Sequence, residues 1–176
     1  LALYNYTRYK TNWGILFMKK TLKYAFIQTI PVLFGYLFMG LAFGILFEKA
    51  GYNFIWAYFV SLTCYAGSMQ FVLITLLTSG ASAIHSAFMT LMINFRHMFY
   101  GLSLVERFKK AGKSKFYLIH ALTDETYSLH CLVKPKENMS DKKLMLYISV
   151  LDHIYWMTGC VLGALIGQII PFDTTG

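Results

Sequence analysis

The chain has 176 residues, of which 57% are apolar and 14% are charged. Soluble domains carry about 45–50% apolar and about 25% charged residues, so this balance excludes an ordinary soluble domain and indicates an integral membrane protein. The net charge of +8 does not indicate nucleic-acid binding, because no basic patch is interleaved with aromatic residues on a polar face.

The basic residues instead gather at the ends of apolar segments, in three clusters. These are Arg8, Lys10, Lys19, Lys20 and Lys23; then Arg107, Lys109, Lys110, Lys113 and Lys115; and finally Lys134, Lys136, Lys142 and Lys143. Lysine and arginine beside membrane segments are retained on the cytoplasmic side. The pattern therefore indicates a multi-pass protein with the lipid bilayer as its surroundings.

The first apolar segment runs from about Tyr24 to Phe47 without a charged residue, and about 20 apolar residues suffice to cross a bilayer. The stretch that begins at Met18 has the composition of a natural start. We therefore interpret residues 1–17 as a possible non-native or disordered extension and residues 18–176 as one transmembrane domain. Gly40 and Gly44 form a GxxxG motif, which lets helix backbones approach closely in lipid.

The second segment, about Phe54 to Leu77, is interrupted near its middle by small and polar residues. Ala66, Gly67 and Ser68 are followed by Met69 and the amide Gln70. Close helix packing is one interpretation. The other is a broken helix whose free backbone amides face a polar ligand, as in many transporters.

The third segment, about Ala83 to Val105, contains Arg96 in apolar surroundings. A guanidinium at membrane depth costs about 2.5–3.5 kcal/mol on insertion scales unless it is paired or hydrated. Asn94 and Arg96 are about 200° apart on a regular helix. Either the helix is broken there, or Arg96 pairs with another helix while Asn94 and His97 face a cavity.

The fourth segment, about Phe116 to Val133, offers the partners that Arg96 requires, because Asp124 and Glu125 lie at its centre. As one continuous helix, it would place His120, Asp124 and Tyr127 on one face. An amphipathic helix on the membrane surface is the alternative, although its acidic centre and basic flanks are the reverse of the usual pattern.

The fifth segment, about Leu144 to Pro171, carries Asp152 near its start, and this residue is either interfacial or buried. Gly159, Gly163 and Gly167 follow at a spacing of four residues. This doubled GxxxG motif predicts close packing against a neighbouring helix or a separate subunit.

The positions of the basic clusters conflict with five simple crossings. Three full crossings after a cytoplasmic N-terminus would put the cluster from Arg107 to Lys115 outside, against the usual rule. The fourth segment has the same difficulty, because both of its ends are basic. We therefore predict an all-α integral membrane protein with about five hydrophobic segments, at least one of them discontinuous or re-entrant.

These residues predict one polar site for a substrate or a coupling ion. It consists of Gly67, Ser68, Gln70, Asn94, Arg96, His97, Thr123, Asp124 and Glu125. A salt bridge that only fixes helix register is the structural alternative, but two carboxylates against one arginine leave a spare acid. The surplus suits a small zwitterion, which needs cations for its carboxylate and acids for its ammonium group.

A membrane-embedded enzyme or a channel that uses Arg96, His97, Asp124 and Glu125 is the functional alternative. His97, His120 and His130 with Asp124 could in principle bind zinc. The chain contains no HExxH, GxSxG or P-loop motif, so no metal, cofactor or ATP drive is expected.

Four motifs in order resemble the AzlC family. They are Gly40-Leu41-Ala42-Phe43-Gly44, Ala66-Gly67-Ser68-Met69-Gln70-Phe71, the stretch Asn94–Leu104 and Leu122-Thr123-Asp124-Glu125-Thr126-Tyr127. The resemblance implies a secondary transporter in the plasma membrane that exports branched-chain amino acids such as valine. It also implies a small AzlD-type membrane subunit as partner. Members of the family are longer, so residues 18–176 are interpreted as a domain incomplete at its C-terminus.

Overall fold

A computed structural model describes the backbone of residues 2–169 and the side chains of residues 18–169. Every regular element in that part is helical, so the all-α prediction is confirmed there. The helices are α1 (Ala2–Lys49), α2 (Phe54–Thr63), α3 (Gly67–Thr78), α4 (Ala83–Asn94), α5 (Arg96–Lys110), α6 (Lys115–His120), α7 (Asp124–Leu132) and α8 (Asp141–Ile169), with one 3₁₀ turn at Gly112–Ser114.

Two of these helices are long and apolar enough to cross a membrane, namely α1 from Met18 to Lys49 and α8. The predicted number of five hydrophobic segments is not decided by this finding and stays a prediction. α1 continues through Pro31. The extension proposed for residues 1–17 lies outside the described side chains, and Pro171 lies outside the described residues.

Helices α1 and α8 run side by side in the same direction, and small residues bring their backbones into contact. A Cβ built on Gly40 would lie 2.9 Å from the Gly159 Cα, and one on Gly44 would overlap the carbonyl oxygen of Cys160. A Cβ on Gly163 would overlap the Leu41 carbonyl oxygen. Gly167 continues the contact beside Glu48. The glycine motifs of the two helices therefore face each other within this chain.

Helices α2 and α3 form a hairpin that enters the bundle near the end of α1 and leaves on the same side. At the inner end of α2, the Ser61 carbonyl accepts a hydrogen bond from His153 Nε2 at 3.2 Å, near the middle of α8. α3 then returns, since Phe71 packs on Phe43 with ring centres 5.8 Å apart. The two helices together are therefore a re-entrant segment.

Of the two interpretations of the second segment, the structure shows the broken helix. α2 ends at Thr63 and α3 begins at Gly67, so residues 64–66 reverse the chain. α2 begins where the Asn53 side chain accepts hydrogen bonds from the backbone amides of Ile55 and Trp56.

Helices α4 and α5 cross the bundle once, with an interruption at Phe95. The Ser82 hydroxyl accepts a hydrogen bond from the His85 amide and starts α4. α5 ends beside the start of α8, where Arg107 Nη2 contacts Asp141 Oδ1 at 2.5 Å. Phe95 keeps helical φ and ψ angles of −54° and −34°, so the third segment is only locally interrupted, and Arg96 pairs with other helices.

Helices α6 and α7 form a second re-entrant hairpin, which enters from the opposite end. Tyr117 OH lies 3.1 Å from His153 Nδ1, so α6 reaches the middle of α8. α7 returns, and His130 Nε2 lies 3.2 Å from Ser149 Oγ near the start of α8. Residues 121–123 interrupt the fourth segment, so the placement of three side chains on one helix face was wrong, whereas a discontinuous segment was expected from the charges. His120 therefore shares no helix with Asp124 and Tyr127.

The members of the three basic clusters whose side chains the structure describes lie at the end of the bundle where α8 begins, which we call the basic end. Tyr24, next to the first cluster, donates to the Lys134 carbonyl at 3.4 Å. A Cβ on Gly112, within the second cluster, would lie 3.8 Å from Lys142 Nζ in the third. The conflict between charge and crossing number disappears, because both hairpins return to the side from which they enter.

An internal repeat relates the two helical stretches that precede the hairpins. Residues 34–51, FGYLFMGLAFGILFEKAG, align without a gap with residues 95–112, FRHMFYGLSLVERFKKAG, and are identical to them at eight positions. Both copies end in Lys-Ala-Gly, and the final glycines, Gly51 and Gly112, both have positive φ, which glycine adopts without strain. Each copy leads into a re-entrant hairpin from its own end of the bundle. The unit of one crossing and one hairpin thus occurs twice with opposite orientation.

We predict that Gly44→Val destabilises the protein because a side chain there overlaps the backbone of α8. Overpacking of this kind typically costs about 1–3 kcal/mol and sometimes more. The measurement is the thermal midpoint and membrane abundance of the purified and expressed full-length protein. Gly35→Val on the same helix is the matched control, since a Cβ at Gly35 meets nothing within 4 Å. Equal effects of both variants would contradict the packing described here.

We predict that cysteines at Tyr52 and Ser79 react with an impermeant maleimide from one face of the membrane. Cysteines at Lys113 and Glu137 should react from the other face, in a background where Cys64, Cys131 and Cys160 are alanine. Both loops around α2 and α3 lie at one end because the hairpin does not cross. If the cysteines at positions 52 and 79 were labelled from opposite faces, the α2–α3 segment would cross the membrane and the hairpin described here would be wrong.

Candidate functional site

Three interruptions of the helices meet near the middle of the bundle and enclose a polar pocket. The starts of α3, α5 and α7 lie together there, each bringing polar side chains or backbone amides. The cavity volume is about 40 Å³, so the walls must separate before a ligand larger than a few waters can enter. Its lining consists of Tyr36, Met39, Tyr65, Ala66, Gly67, Ser68, Arg96, His97, Thr123, Asp124, Glu125 and Trp156.

Arg96 joins two of the hairpins through its guanidinium group. Nη1 lies 2.8 Å from Asp124 Oδ2 at the start of α7, and Nη2 donates to Ser68 Oγ at 2.8 Å at the start of α3. The side chains of Arg96 and Asp124 retain 42% and 38% of their exposure, so the pair is accessible from the pocket mouth. Arg96 was expected to pair with an acid from another segment, and it contacts Asp124.

Glu125 has a different partner from its neighbour. Its Oε2 accepts a hydrogen bond of 2.8 Å from the Tyr36 hydroxyl of α1. The same hydroxyl lies 2.6 Å from Thr123 Oγ1. The two adjacent carboxylates therefore have separate roles, one paired with a guanidinium and the other with a phenol.

The start of α3 is an uncapped helix N-terminus that opens into the pocket. Ala66 precedes it and provides no side-chain hydrogen bond. A Cβ on Gly67 would lie 3.1 Å from Cη2 of Trp156, so glycine brings the backbone close to that ring. Free amides and the helix dipole at such an end favour an anion.

The start of α7 is capped and already acidic. The Thr123 hydroxyl accepts a hydrogen bond of 3.3 Å from the Thr126 amide, and Asp124 and Glu125 occupy the first turn. Negative side chains compensate the positive end of a helix. The pocket therefore has an acidic wall at α7 and an anion-accepting wall at α3 and Arg96.

Two residues predicted for the site lie outside the pocket lining. The fully buried Gln70 donates to the carbonyls of Cys64 at 2.7 Å and Val60 at 3.2 Å, and accepts from Trp156 Nε1 at 2.9 Å. It therefore closes the break between α2 and α3. Asn94 lies in an adjoining cavity, where its Oδ1 has no hydrogen-bond partner among the described residues.

Sequence reasoning named Tyr65 as a wall of the pocket but missed Tyr36 and Trp156, because aromatic residues are common in every segment. Tyr36 had a usable signal, since the internal repeat aligns it with His97, which also lines the pocket. Asp152, left open as interfacial or buried, is completely buried.

A family model described as AzlC protein matches residues 31–170, which include all three interruptions and every residue of the pocket. This chain belongs to the AzlC family.

Several similar proteins support this membership of the AzlC family. A membrane protein of Helicobacter pylori is 46% identical over 89% of this chain and 69% of its own length. The Bacillus subtilis branched-chain amino acid transport protein AzlC is 36% identical over 86% of this chain and 60% of its own length. The Escherichia coli inner membrane protein YgaZ is 31% identical over 80% of this chain and 59% of its own length. No solved structure matches the chain.

The names of the AzlC-family relatives agree with the two long apolar helices, so this chain is a membrane protein. The side chains considered for zinc do not converge. His120 Nε2 lies 3.3 Å from the Leu62 carbonyl oxygen, whereas His130 packs near the basic end. Residues 18–169 contain no group of three potential metal ligands.

We predict that Gln70→Met destabilises the α2–α3 hairpin. Methionine has about the same length as glutamine, so the variant removes the hydrogen bonds and keeps the space filled. The variant leaves the Cys64 and Val60 carbonyls and the Trp156 indole without their partner, and each unpaired buried group costs about 1–3 kcal/mol. The measurement is the thermal midpoint in detergent. Thr78→Val on the exposed end of α3 is the control, and an equal loss there would contradict the role given to Gln70.

Proposed function

We propose that this chain is the transport subunit of a secondary transporter that exports branched-chain amino acids such as valine across the plasma membrane. The observation that carries the proposal is the pocket itself. It combines a cation, an uncapped helix start, two carboxylates and aromatic walls at the inner ends of two re-entrant hairpins. Pockets at discontinuous helices near the middle of the membrane are the sites of many secondary transporters.

The pocket matches the two charges of an amino acid separately. The substrate carboxylate is bound by Arg96 and by the free amides at the start of α3, where Ser68 also donates. The substrate ammonium group is bound by Asp124 and Glu125 at the start of α7. Met39, Tyr65 and Trp156 supply an apolar surface for the side chain.

Substrate binding exchanges ionic contacts rather than creating buried charges. In the structure, Arg96 is paired with Asp124 at 2.8 Å. A zwitterion that enters between them gives Arg96 a new carboxylate and Asp124 a new cation. The exchange keeps every charge paired, which avoids the cost of isolated charge at membrane depth. It also separates the starts of α5 and α7, so substrate binding acts directly on the hairpins.

The inverted repeat supports alternating access. One hairpin enters from the basic end and the other from the opposite end, and both reach the pocket. Movement of one repeat against the other would open the site alternately to either side. The positive-inside tendency places the basic end in the cytoplasm. No P-loop occurs in the sequence, so this chain supplies no ATP-binding motif for the movement.

The substrate class is inferred from family membership together with the pocket. The Bacillus subtilis relative is named as a branched-chain amino acid transport protein. A small AzlD-type membrane subunit is the proposed partner. α4 has no buried residue and would offer it an apolar surface, since Ile84 and Phe88 remain 84% and 59% exposed within this chain.

We predict that Arg96→Ala and Asp124→Asn each abolish valine efflux while membrane abundance stays normal. Both variants remove a group that binds one charge of the substrate. The measurement is efflux of labelled valine from loaded cells that express the full-length protein, with and without its partner subunit. Lys109→Ala is the control, because its ion pair with Glu106 is largely exposed and lies outside the pocket.

The exchanged pair Arg96→Asp with Asp124→Arg separates transport from a purely structural bridge. A structural bridge tolerates exchange, so abundance and full efflux would both return in the double variant. The transport site requires the cation beside the start of α3, so efflux should stay absent. Full recovery of efflux would contradict the proposed binding mode.

A further inference from the structure

Behind the pocket, a chain of hydrogen-bonding groups leads from Glu125 to the completely buried Asp152. Glu125 Oε2 lies 2.8 Å from Tyr36 OH, and Tyr36 OH lies 2.6 Å from Thr123 Oγ1. Thr123 Oγ1 lies 3.1 Å from Thr126 Oγ1, which lies 2.9 Å from Asp152 Oδ2. We call these five groups the carboxyl chain.

A count of protons shows that the carboxyl chain is one proton short when both of its acids are ionised. The four oxygen–oxygen contacts need four protons between them. Tyr36, Thr123 and Thr126 have one hydroxyl proton each. If Tyr36 donates to Glu125 while Thr123 and Thr126 donate towards Asp152, the Tyr36–Thr123 contact contains no proton. That contact is the shortest of the four at 2.6 Å, where two facing lone pairs would repel.

One additional proton completes the carboxyl chain in either of two arrangements. With the proton on Asp152, each group donates to the next one towards an ionised Glu125. With the proton on Glu125, all four hydrogen bonds reverse and Asp152 is ionised. In both arrangements Thr123 Oγ1 also accepts from the Thr126 amide and keeps an allowed number of bonds. No atom other than hydrogen has to move between them.

The surroundings of Asp152 favour the neutral acid in the structure. Its side chain has no exposure, and its Oδ1 has no hydrogen-bond partner among the described residues. The titratable groups that face it are Glu125 of α7, Tyr65 between α2 and α3, Tyr117 of α6 and Tyr155 of α8; none is a cation. A buried ionised carboxylate without a cation is unfavourable.

The side chains of His153 and Tyr65 lie beside the carboxyl chain, but neither supplies the proton that the Tyr36–Thr123 contact lacks. The adjacent His153 contacts the Tyr117 hydroxyl through Nδ1 and the Ser61 carbonyl through Nε2, so both ring nitrogens are occupied elsewhere. The Tyr65 hydroxyl is buried and faces Tyr36 and Thr126 of the carboxyl chain, but it forms no contact within hydrogen-bond distance among the described residues. Its proton cannot lie between Tyr36 and Thr123.

We propose that Asp152 and Glu125 form a site that binds one proton, and that the carboxyl chain passes this proton between the buried acid and the substrate pocket. Four hydrogen bonds reverse together during the transfer, so one acid loses the proton that the other gains. Glu125 becomes ionised when the proton is on Asp152 and can then bind the substrate ammonium group. This coupling to substrate rests on the function proposed above, whereas proton binding itself does not.

The test compares Thr126→Val with Thr126→Ser in the full-length protein reconstituted with its partner in liposomes. The proposed valine site consists of residues that line the pocket, and Thr126 is not one of them. Exchange of valine at equal pH should therefore persist in both variants. Accumulation of valine driven by a pH gradient should fall to the level without a gradient in Thr126→Val, which interrupts the chain. It should persist in Thr126→Ser, which retains the hydroxyl. Gradient-driven accumulation in Thr126→Val equal to that of the unchanged protein would overturn the proposal.

Asp152→Asn provides a second variant, because the asparagine amide can donate a hydrogen bond to Thr126 but cannot release a proton. It should likewise retain exchange and lose gradient-driven accumulation. Loss of exchange in a folded Asp152→Asn protein would overturn the proposal, since it would assign Asp152 to substrate binding.

Infrared spectroscopy tests the proton site without transport. The unchanged protein at neutral pH should show the carbonyl band of a protonated carboxyl group, and Asp152→Asn should lack it. Absence of this band from the unchanged protein would overturn the proton site. If the band is present but the protein moves no branched-chain amino acid, the transport proposal fails and the proton site stands.

Discussion

The structure depends on how the backbone groups freed at each helix break are satisfied inside an apolar bundle. A membrane supplies no water for such groups, so irregular backbone is tolerated only where protein or a hydrated cavity meets its hydrogen-bonding needs. Gln70 meets this need between α2 and α3 by donating to two carbonyls of the break. Thr123 does so at the start of α7 by accepting from the Thr126 amide. With the breaks stabilised, charged side chains and helix ends can lie at the same depth.

The parallel pair of α1 and α8 is the frame against which the hairpins are placed. Its glycines bring two backbones into contact, and Tyr36, Trp156 and Asp152 project from this frame towards the breaks. Backbone contact leaves little freedom for the frame to change, whereas the hairpins are held mainly by side chains. This division between a closely packed pair and two hairpins is compatible with the alternating access proposed above.

Adjacent acids in this chain serve different purposes because the helix start at α7 gives them different directions. Asp124 contacts Arg96, whereas Glu125 reaches back to Tyr36 of α1. The spare acid that suggested a zwitterion site is therefore also the end of a hydrogen-bonded path to Asp152. In the proposed mechanism, a substrate charge and a proton therefore act on the same residue, Glu125.

The amino-acid sequence by itself determined the membrane class, the need of Arg96 for an acid and the glycines suited to close packing, and it offered a break near Gly67 as one of two interpretations. These features follow from local costs: charge in lipid, small residues within an apolar run, and the length of a crossing. Residues 121–123 hid the second break because Ala121, Leu122 and Thr123 contain neither glycine nor proline. Gln70 was predicted for the pocket because an amide serves a ligand or a backbone carbonyl equally well. Only the tertiary structure decided which role it has, that α1 and α8 are parallel, and that Asp152 is buried, because these depend on which distant segments share the same depth.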